Sequence, residues 1–228
     1  MRLKQCLKEA MEALSDSEKK INDKREERGL FRASSFLNKE IKELIKNNES
    51  IRIDLIIRAH KILFTSMGGE DASIGGKFRK SNDQELKRID GTPLKMTDYK
   101  NIANEVAVLD EELRTKTRNL KRPRRERQYK NVITLSARLS HRFASIHPFQ
   151  NGNGRASRLL LNAILKRAEL PWLESDVSIH FKKEEKEKYL SAMRQADDGD
   201  YSMLERMIKE SLYQTNRKLY KQRQAANR

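Results

Sequence analysis

Apolar residues recur at three- and four-residue intervals along most of the 228-residue chain, the period of an amphipathic α-helix. Over residues 2–28, Leu3, Leu7, Met11, Leu14 and Ile21 lie roughly on one face of a segment dense in Lys, Glu and Arg. Gly29 predicts the end of that helix, and Ser34 or Ser35 predicts the cap of a second one reaching Lys46. After the turn Asn47-Asn48-Glu49-Ser50, apolar residues occupy most sides of Ile51–Phe64, so this helix should be largely buried. Glycines make Thr65–Lys77 a loop. Further helices are predicted from Thr97 to about Leu113, with Asp98 in the first turn, and from Ile133 to Ser145. Three more follow, over Arg155 to about Ala168, Glu184–Gln195 and Met203 to about Gln214. Asp197-Asp198-Gly199-Asp200 divides the last two, and the basic tail from Asn216 to Arg228 is expected to fray. One segment breaks the pattern. Asp90-Gly91 between Leu86, Ile89 and Leu94 reads as the turn of a short β-hairpin within Gln84–Leu94. The fold class expected is therefore all-α, with that hairpin as its one strand feature.

Hydrophobic and charged residues each make up 36% of the chain, which suits a surface-rich helical protein. Neither a membrane span nor a secretory leader is expected, because charges interrupt every long apolar stretch, including the start Met1–Glu9. Cys6 is the sole cysteine, which excludes an intramolecular disulfide and fits a reducing compartment. The bacterial cytoplasm is the place expected, with export as an effector left open. The net charge is +16. Much of it lies in Arg114–Lys130, where nine basic residues face one acid, Glu126. A solvated connector is favoured there over a nucleic-acid or acidic-partner patch. Tyr129 is the run's single stacking platform, so nucleic acid is not among the expected partners.

The chemistry concentrates in His147-Pro148-Phe149-Gln150-Asn151-Gly152-Asn153-Gly154-Arg155. An apolar helix follows directly, so the segment reads as a loop feeding a helix N-terminus. Backbone N–H groups there favour an anion. A histidine at the start of the loop is placed to act on whatever the phosphate is attached to. His60, inside the buried helix, reads as a satisfied core histidine, and His141 reads as structural. His180 has no partner nearby in sequence. Neither a zinc site nor a Walker-type phosphate loop is expected.

The nonapeptide resembles the signature of the Fic family, H-P-F-x-(D/E)-G-N-G-R, at seven of its eight defined positions. Gly76-Lys77-Phe78-Arg79 is similar to the G-x-F-R that precedes the family's flap hairpin, and Arg158 matches the family's second arginine. The resemblance covers about residues 50 to 215. It implies a Fic-type helical bundle, with an N-terminal helical region over 1–49, the Fic domain over 50–215 and a basic tail over 216–228. It also implies transfer of AMP from ATP, with Mg²⁺, to a hydroxyl side chain of a target protein. His147 would be the general base, for which the ordinary histidine pKa is well suited. Gly152, Asn153 and Gly154 would form the phosphate nest, and Arg155 and Arg158 would pair with phosphate oxygens. The target would dock on the flap at 84–94.

Two departures matter. Asn151 stands where the family has the acid that holds Mg²⁺. An amide offers one carbonyl oxygen and no charge. Weakened metal dependence, a different phosphate-containing donor, or a catalytically weak or inactive nucleotide- or partner-binding module all stay open. The second departure concerns inhibition. Ser34-Ser35-Phe36-Leu37-Asn38-Lys39 looks like a degenerate form of the family's inhibitory helix, with Asn38 at the glutamate position and Glu40 two residues late. An ordinary packed helix is slightly favoured over that reading. Inhibition by a separate antitoxin chain is the other possibility.

Overall fold

The computed structural model describes residues 2–68, 70–82, 96–173 and 183–226. The hairpin expected at 84–94 and His180 lie outside them. Among the described residues the periodic segments fold as seven α-helices. These are α1 (Arg2–Asn47), α2 (Ile53–Met67), α3 (Ile102–Thr117), α4 (Glu126–Ile146), α5 (Asn153–Arg167), α6 (Lys183–Asp197) and α7 (Ser202–Ala226).

Gly29 does not end a helix. The two helices expected over residues 2–28 and 34–46 are one continuous α1 of 46 residues. The glycine answers a packing need instead. A Cβ at Gly29 would lie 2.5 Å from the Leu63 carbonyl oxygen of α2, so its absence lets the two helices approach backbone to backbone. Arg58 of α2 meets Glu40 of α1 at 3.5 Å and covers the Phe36 ring at 4.8 Å, which makes the pair antiparallel. Leu30, Ala33, Leu37 and Ile41 of α1 join Ile56, Ala59, Leu63 and Phe64 of α2 in one core. Gly29→Ala gains about 1 kcal/mol of helix propensity on an isolated helix. Here the overpacking should outweigh that gain and cost about 1–3 kcal/mol net. A lowered urea midpoint with an unchanged slope is the expected reading.

Helix α5 is the centre of the molecule. Its residues are buried nearly all round, from Ala156 through Leu159, Leu160, Ala163 and Ile164 to Leu165, the mark of a core helix. It shares one core with α1–α4, and a second core with α4, α6 and α7 that includes Leu161, Leu165, Leu204, Ile208 and Leu212. Three of its polar residues find partners in the surrounding structure. The Asn162 side chain accepts from the Leu173 N–H, and the Ser157 hydroxyl donates to the Ser140 carbonyl. The buried Arg167 guanidinium donates to the carbonyls of Glu49, Leu120 and Arg118. That one side chain ties the α1–α2 and α3–α4 connections to the end of α5.

Several boundaries move: α3 runs Ile102–Thr117 rather than from Thr97 to about Leu113, with Asp98 capping a short 3-10 turn, Tyr99–Asn101, before it. Helix α4 starts at Glu126, seven residues before Ile133, because the Gln128 side chain reaches back and accepts from the N–H groups of Arg124 and Arg125. The basic run is therefore partly helical. Helix α7 continues to Ala226, through most of the tail expected to fray.

Candidate active site

The nonapeptide is the tight connection between α4 and α5. Helix α4 ends on His147, which adopts the left-handed conformation (φ 52°, ψ 56°) that stops a helix. This turn carries the chain back so that Phe149 enters the core, fully buried. Asn153 then clamps the loop. Its Oδ1 accepts from the Phe149 N–H at 2.9 Å, and its Nδ2 donates to the Phe149 carbonyl at 2.8 Å. Gly152 is left-handed too (φ 79°) and lies against α2. A Cβ there would be 2.6 Å from the Phe64 ring. Both the backbone angle and the contact call for glycine.

A second strap holds the loop from outside. Phe78 and Phe149 form an isolated antiparallel bridge, and the Arg79 N–H donates to the Pro148 carbonyl at 2.9 Å. The Arg79 guanidinium donates to the His147 carbonyl at 2.8 Å, and also to Ser81, Asn82 and Thr97. A groove of about 440 Å³ runs alongside, lined by Ile74, Lys77–Ser81 and Gln150.

His60 braces the loop from below. Its ring stacks on Phe149 with centroids 3.7 Å apart. The Gly76 N–H donates to Nδ1 at 2.9 Å, so the proton sits on Nε2 and is given to the Asn151 carbonyl, also at 2.9 Å. This is the satisfied core histidine expected, and it also holds the motif. Burial pushes its pKa down from 6.5 to about 4; the Asn151 bond opposes the shift and nearby Arg155 adds to it. The unfolded chain binds this proton near pH 6.5 and the folded one only near 4. Stability is therefore complete above about 6.5 and lost as pH falls towards 4, by about 3 kcal/mol from this residue. Denaturant titrations across that window should show a shallower fall for His60→Gln than for the parent chain.

The half-buried His147 ring faces the same cost. Burial pushes its pKa from 6.5 to about 4, against a bond to the Ala144 backbone that raises it, with Arg79 lowering it further. A ring N–H donating to the Ala144 carbonyl leaves the other nitrogen with its lone pair. The imidazole is therefore neutral at pH 7, further from its ordinary value than the sequence suggests.

The expected binding residues separate into two groups. Gly152, Gly154 and the backbone of Asn153 lie at or in the first turn of α5, where helix N–H groups face outward. The Asn153 side chain points the other way, into the core, as the loop's clamp. Arg155 and Arg158 rise from the first turns of α5. Arg155 covers the Phe64 ring at 5.1 Å, and Arg158 lies 5.9 Å from the Tyr189 ring of α6.

Asn151 is already engaged. Its Oδ1 accepts from the Gly152 N–H at 2.7 Å and from Arg155 Nη2 at 3.3 Å. An acid from another helix reaches the loop's arginine. Glu26 of α1 meets Arg155 Nη1 at 2.5 Å, with side chains only 23% and 13% exposed. Asn38, the position singled out for an inhibitory glutamate, has its Oδ1 buried without a hydrogen-bond partner. Glu40 faces Arg58 rather than a motif arginine. Glu26, His60 and Arg79 were not expected as site residues. Glu26 had no local signal among so many charges. Gly29, read as a helix stop, was in fact the trace of the close packing that delivers it.

The Fic/DOC family profile matches residues 50–165, half of the chain. The chain belongs to the Fic/DOC family. It is 29% identical over 182 residues to "Protein adenylyltransferase Fic" of Nematostella vectensis, covering 80% of this chain and 36% of that protein. It is 27% identical over 190 residues to the protein of the same name from Aedes aegypti, covering 83% and 33%. The chain thus spans about a third of the length of these curated relatives. Among solved structures, Fic-1 (residues 134–508) from C. elegans superimposes with a TM-score of 0.64 at 21% identity, over 87% of this chain and 51% of that one. A Fic-domain signalling protein from Bacteroides thetaiotaomicron gives 0.60 at 21%, over 80% and 67%. These likenesses establish the all-α Fic fold. Among the described residues no helix is long and apolar enough to cross a membrane.

Proposed function

We propose that this chain is a protein adenylyltransferase, moving AMP from ATP to a hydroxyl side chain of a target protein. One observation carries the reading. A neutral imidazole, His147, with one nitrogen committed to Ala144, stands at the entrance to a helix N-terminus that bears Arg155 and Arg158. The naming of family relatives as protein adenylyltransferases supports it. His147 takes the proton of the target hydroxyl as that oxygen forms a bond to the α-phosphorus. The bond from the α-phosphorus to the bridging oxygen breaks, and pyrophosphate leaves with the electron pair. Arg155, Arg158 and the first N–H groups of α5 meet the charge that develops on the phosphates. The hydroxyl would be presented at the flap, residues 84–94.

The Mg²⁺ that the resemblance implies does not fit the groups present. Both lone pairs of the Asn151 carbonyl already receive N–H donors, and the acid beside the loop, Glu26, is paired with Arg155. The transfer is therefore written through the chain's own cationic groups.

Glu26 supports an added role for α1 as an intramolecular restraint. Its carboxylate competes with phosphate for Arg155. Incubation with α-labelled ATP and candidate target proteins tests the transfer; no label on any protein, including this one, overturns it. Glu26→Gln should bind ATP more tightly, by about fivefold to tenfold in calorimetry. Unchanged or weaker binding means that Glu26 only holds α1 in place.

A further inference from the structure

The structure joins two basic segments that lie far apart in the sequence. Helices α4 and α7 pack antiparallel. The Thr134 hydroxyl donates to Glu205 at 2.8 Å, and one turn further along α4 Arg138 covers the Tyr201 ring at 5.3 Å. Continuing that register one turn in the other direction carries Lys130 and Lys209 to the same end of the pair. Beyond Leu212, the last buried residue of α7, the helix runs on past the start of α4 with almost every residue exposed. Its outer face repeats at helical spacing: Lys209, Tyr213, Arg217 and Tyr220 form one stripe, with Lys221 beside it. Residues 118–130 and 209–226 together carry twelve basic residues and two acids, Glu126 and Glu210.

The connector alone offers Tyr129, 38% exposed, which is why it reads as merely solvated. Helix α7 changes this by adding Tyr213 and Tyr220, each 65% exposed and separated by Arg217. Rings held in water between cations are stacking platforms along an electrostatic track. An acidic protein surface would use the charge and leave the rings idle. A duplex would keep its bases from them. The patch lies at the far end of α4 from His147, about 30 Å away along the helix.

We infer that the joined face of α4, its preceding connector and α7 binds single-stranded nucleic acid, with Tyr213 and Tyr220 stacking on unpaired bases. This does not depend on the transferase reading, since no residue of the His147 loop takes part. The test is fluorescence anisotropy of the full chain with a labelled single-stranded RNA of about 20 nucleotides, the matching single-stranded DNA, a duplex of the same length, and labelled poly-aspartate. A single strand should bind more tightly than duplex or poly-aspartate, and weaken by about tenfold or more as salt rises from about 50 to about 200 mM. Replacing both Tyr213 and Tyr220 with alanine should cost about tenfold or more in single-strand affinity, with the helical circular dichroism signal and His147-dependent labelling unchanged. Preference for RNA over DNA, or the reverse, identifies the source of the strand. Absence of binding overturns the inference. Poly-aspartate binding as tightly as the single strand overturns it in favour of an acidic protein partner. An unchanged affinity in the double variant overturns it as well.

Discussion

His147→Ala should reduce label transfer from α-labelled ATP by about 10²–10⁴-fold, while ATP affinity in calorimetry stays within about twofold of the parent. The proposed base is lost, and the arginines and helix N-terminus proposed to hold phosphate remain. The pH profile separates this role from a structural one. With its pKa pushed to about 4 by burial, the imidazole keeps its lone pair well below neutrality. The acidic limb of kcat/KM, which reports the protein before substrate binds, should therefore lie near 4 rather than at 6.5. Bound phosphates place negative charge near the ring and stabilise its protonated form, so the limb in kcat should lie higher. Ring-proton NMR titration of the chain without nucleotide gives the first value directly. A titration at the ordinary histidine value would overturn the effect of burial on the ring, and labelling that survives the alanine change would remove His147 from its role.

Asn151→Asp should raise transfer by about tenfold to a hundredfold with Mg²⁺ present, and leave it near the parent rate in a chelator. The parent side chain is a neutral acceptor saturated by Gly152 and Arg155. A carboxylate has further lone pairs and a charge, so it can keep those two donors and still offer an oxygen to a hard cation. A parent chain already as Mg²⁺-dependent as the variant would show that Asn151 turns its oxygen outward when ATP binds. A variant with no gain would place the limit elsewhere, with Glu26 on Arg155 the first candidate. The double change Glu26→Gln, Asn151→Asp then shows whether the two positions act on one step, by departing from the product of the single effects.

The helices were legible because their signal is local. Burial of Ile51–Phe64 and of the α5 segment follows from apolar residues on most sides, and both helices lie in the core. Boundaries were less legible where a side chain rather than periodicity sets them, as Gln128 does at the start of α4. Gly29 misled because a glycine inside a helical pattern has two physical uses, as a terminator and as a close-packing site. Which one applies depends on whether another helix lies opposite. The motif was readable because its residues are contiguous, but their division of labour was not. Asn153 looks like a ligand-facing residue and is a clamp, since only the folded loop brings Phe149 to both ends of its amide.

By itself the sequence determined the helical class, the position of the motif loop, and the residue, Asn151, at which that motif departs from the family pattern. Each of these is a matter of spacing over a few residues. Only the tertiary structure decided that Glu26, 129 residues away, supplies the carboxylate facing Arg155. The same holds for His60 under the motif and for the tyrosines of α7 beside the basic start of α4. Such contacts depend on how helices cross, and crossing is set by the summed packing of many side chains. It leaves no periodic trace at the residues that finally meet.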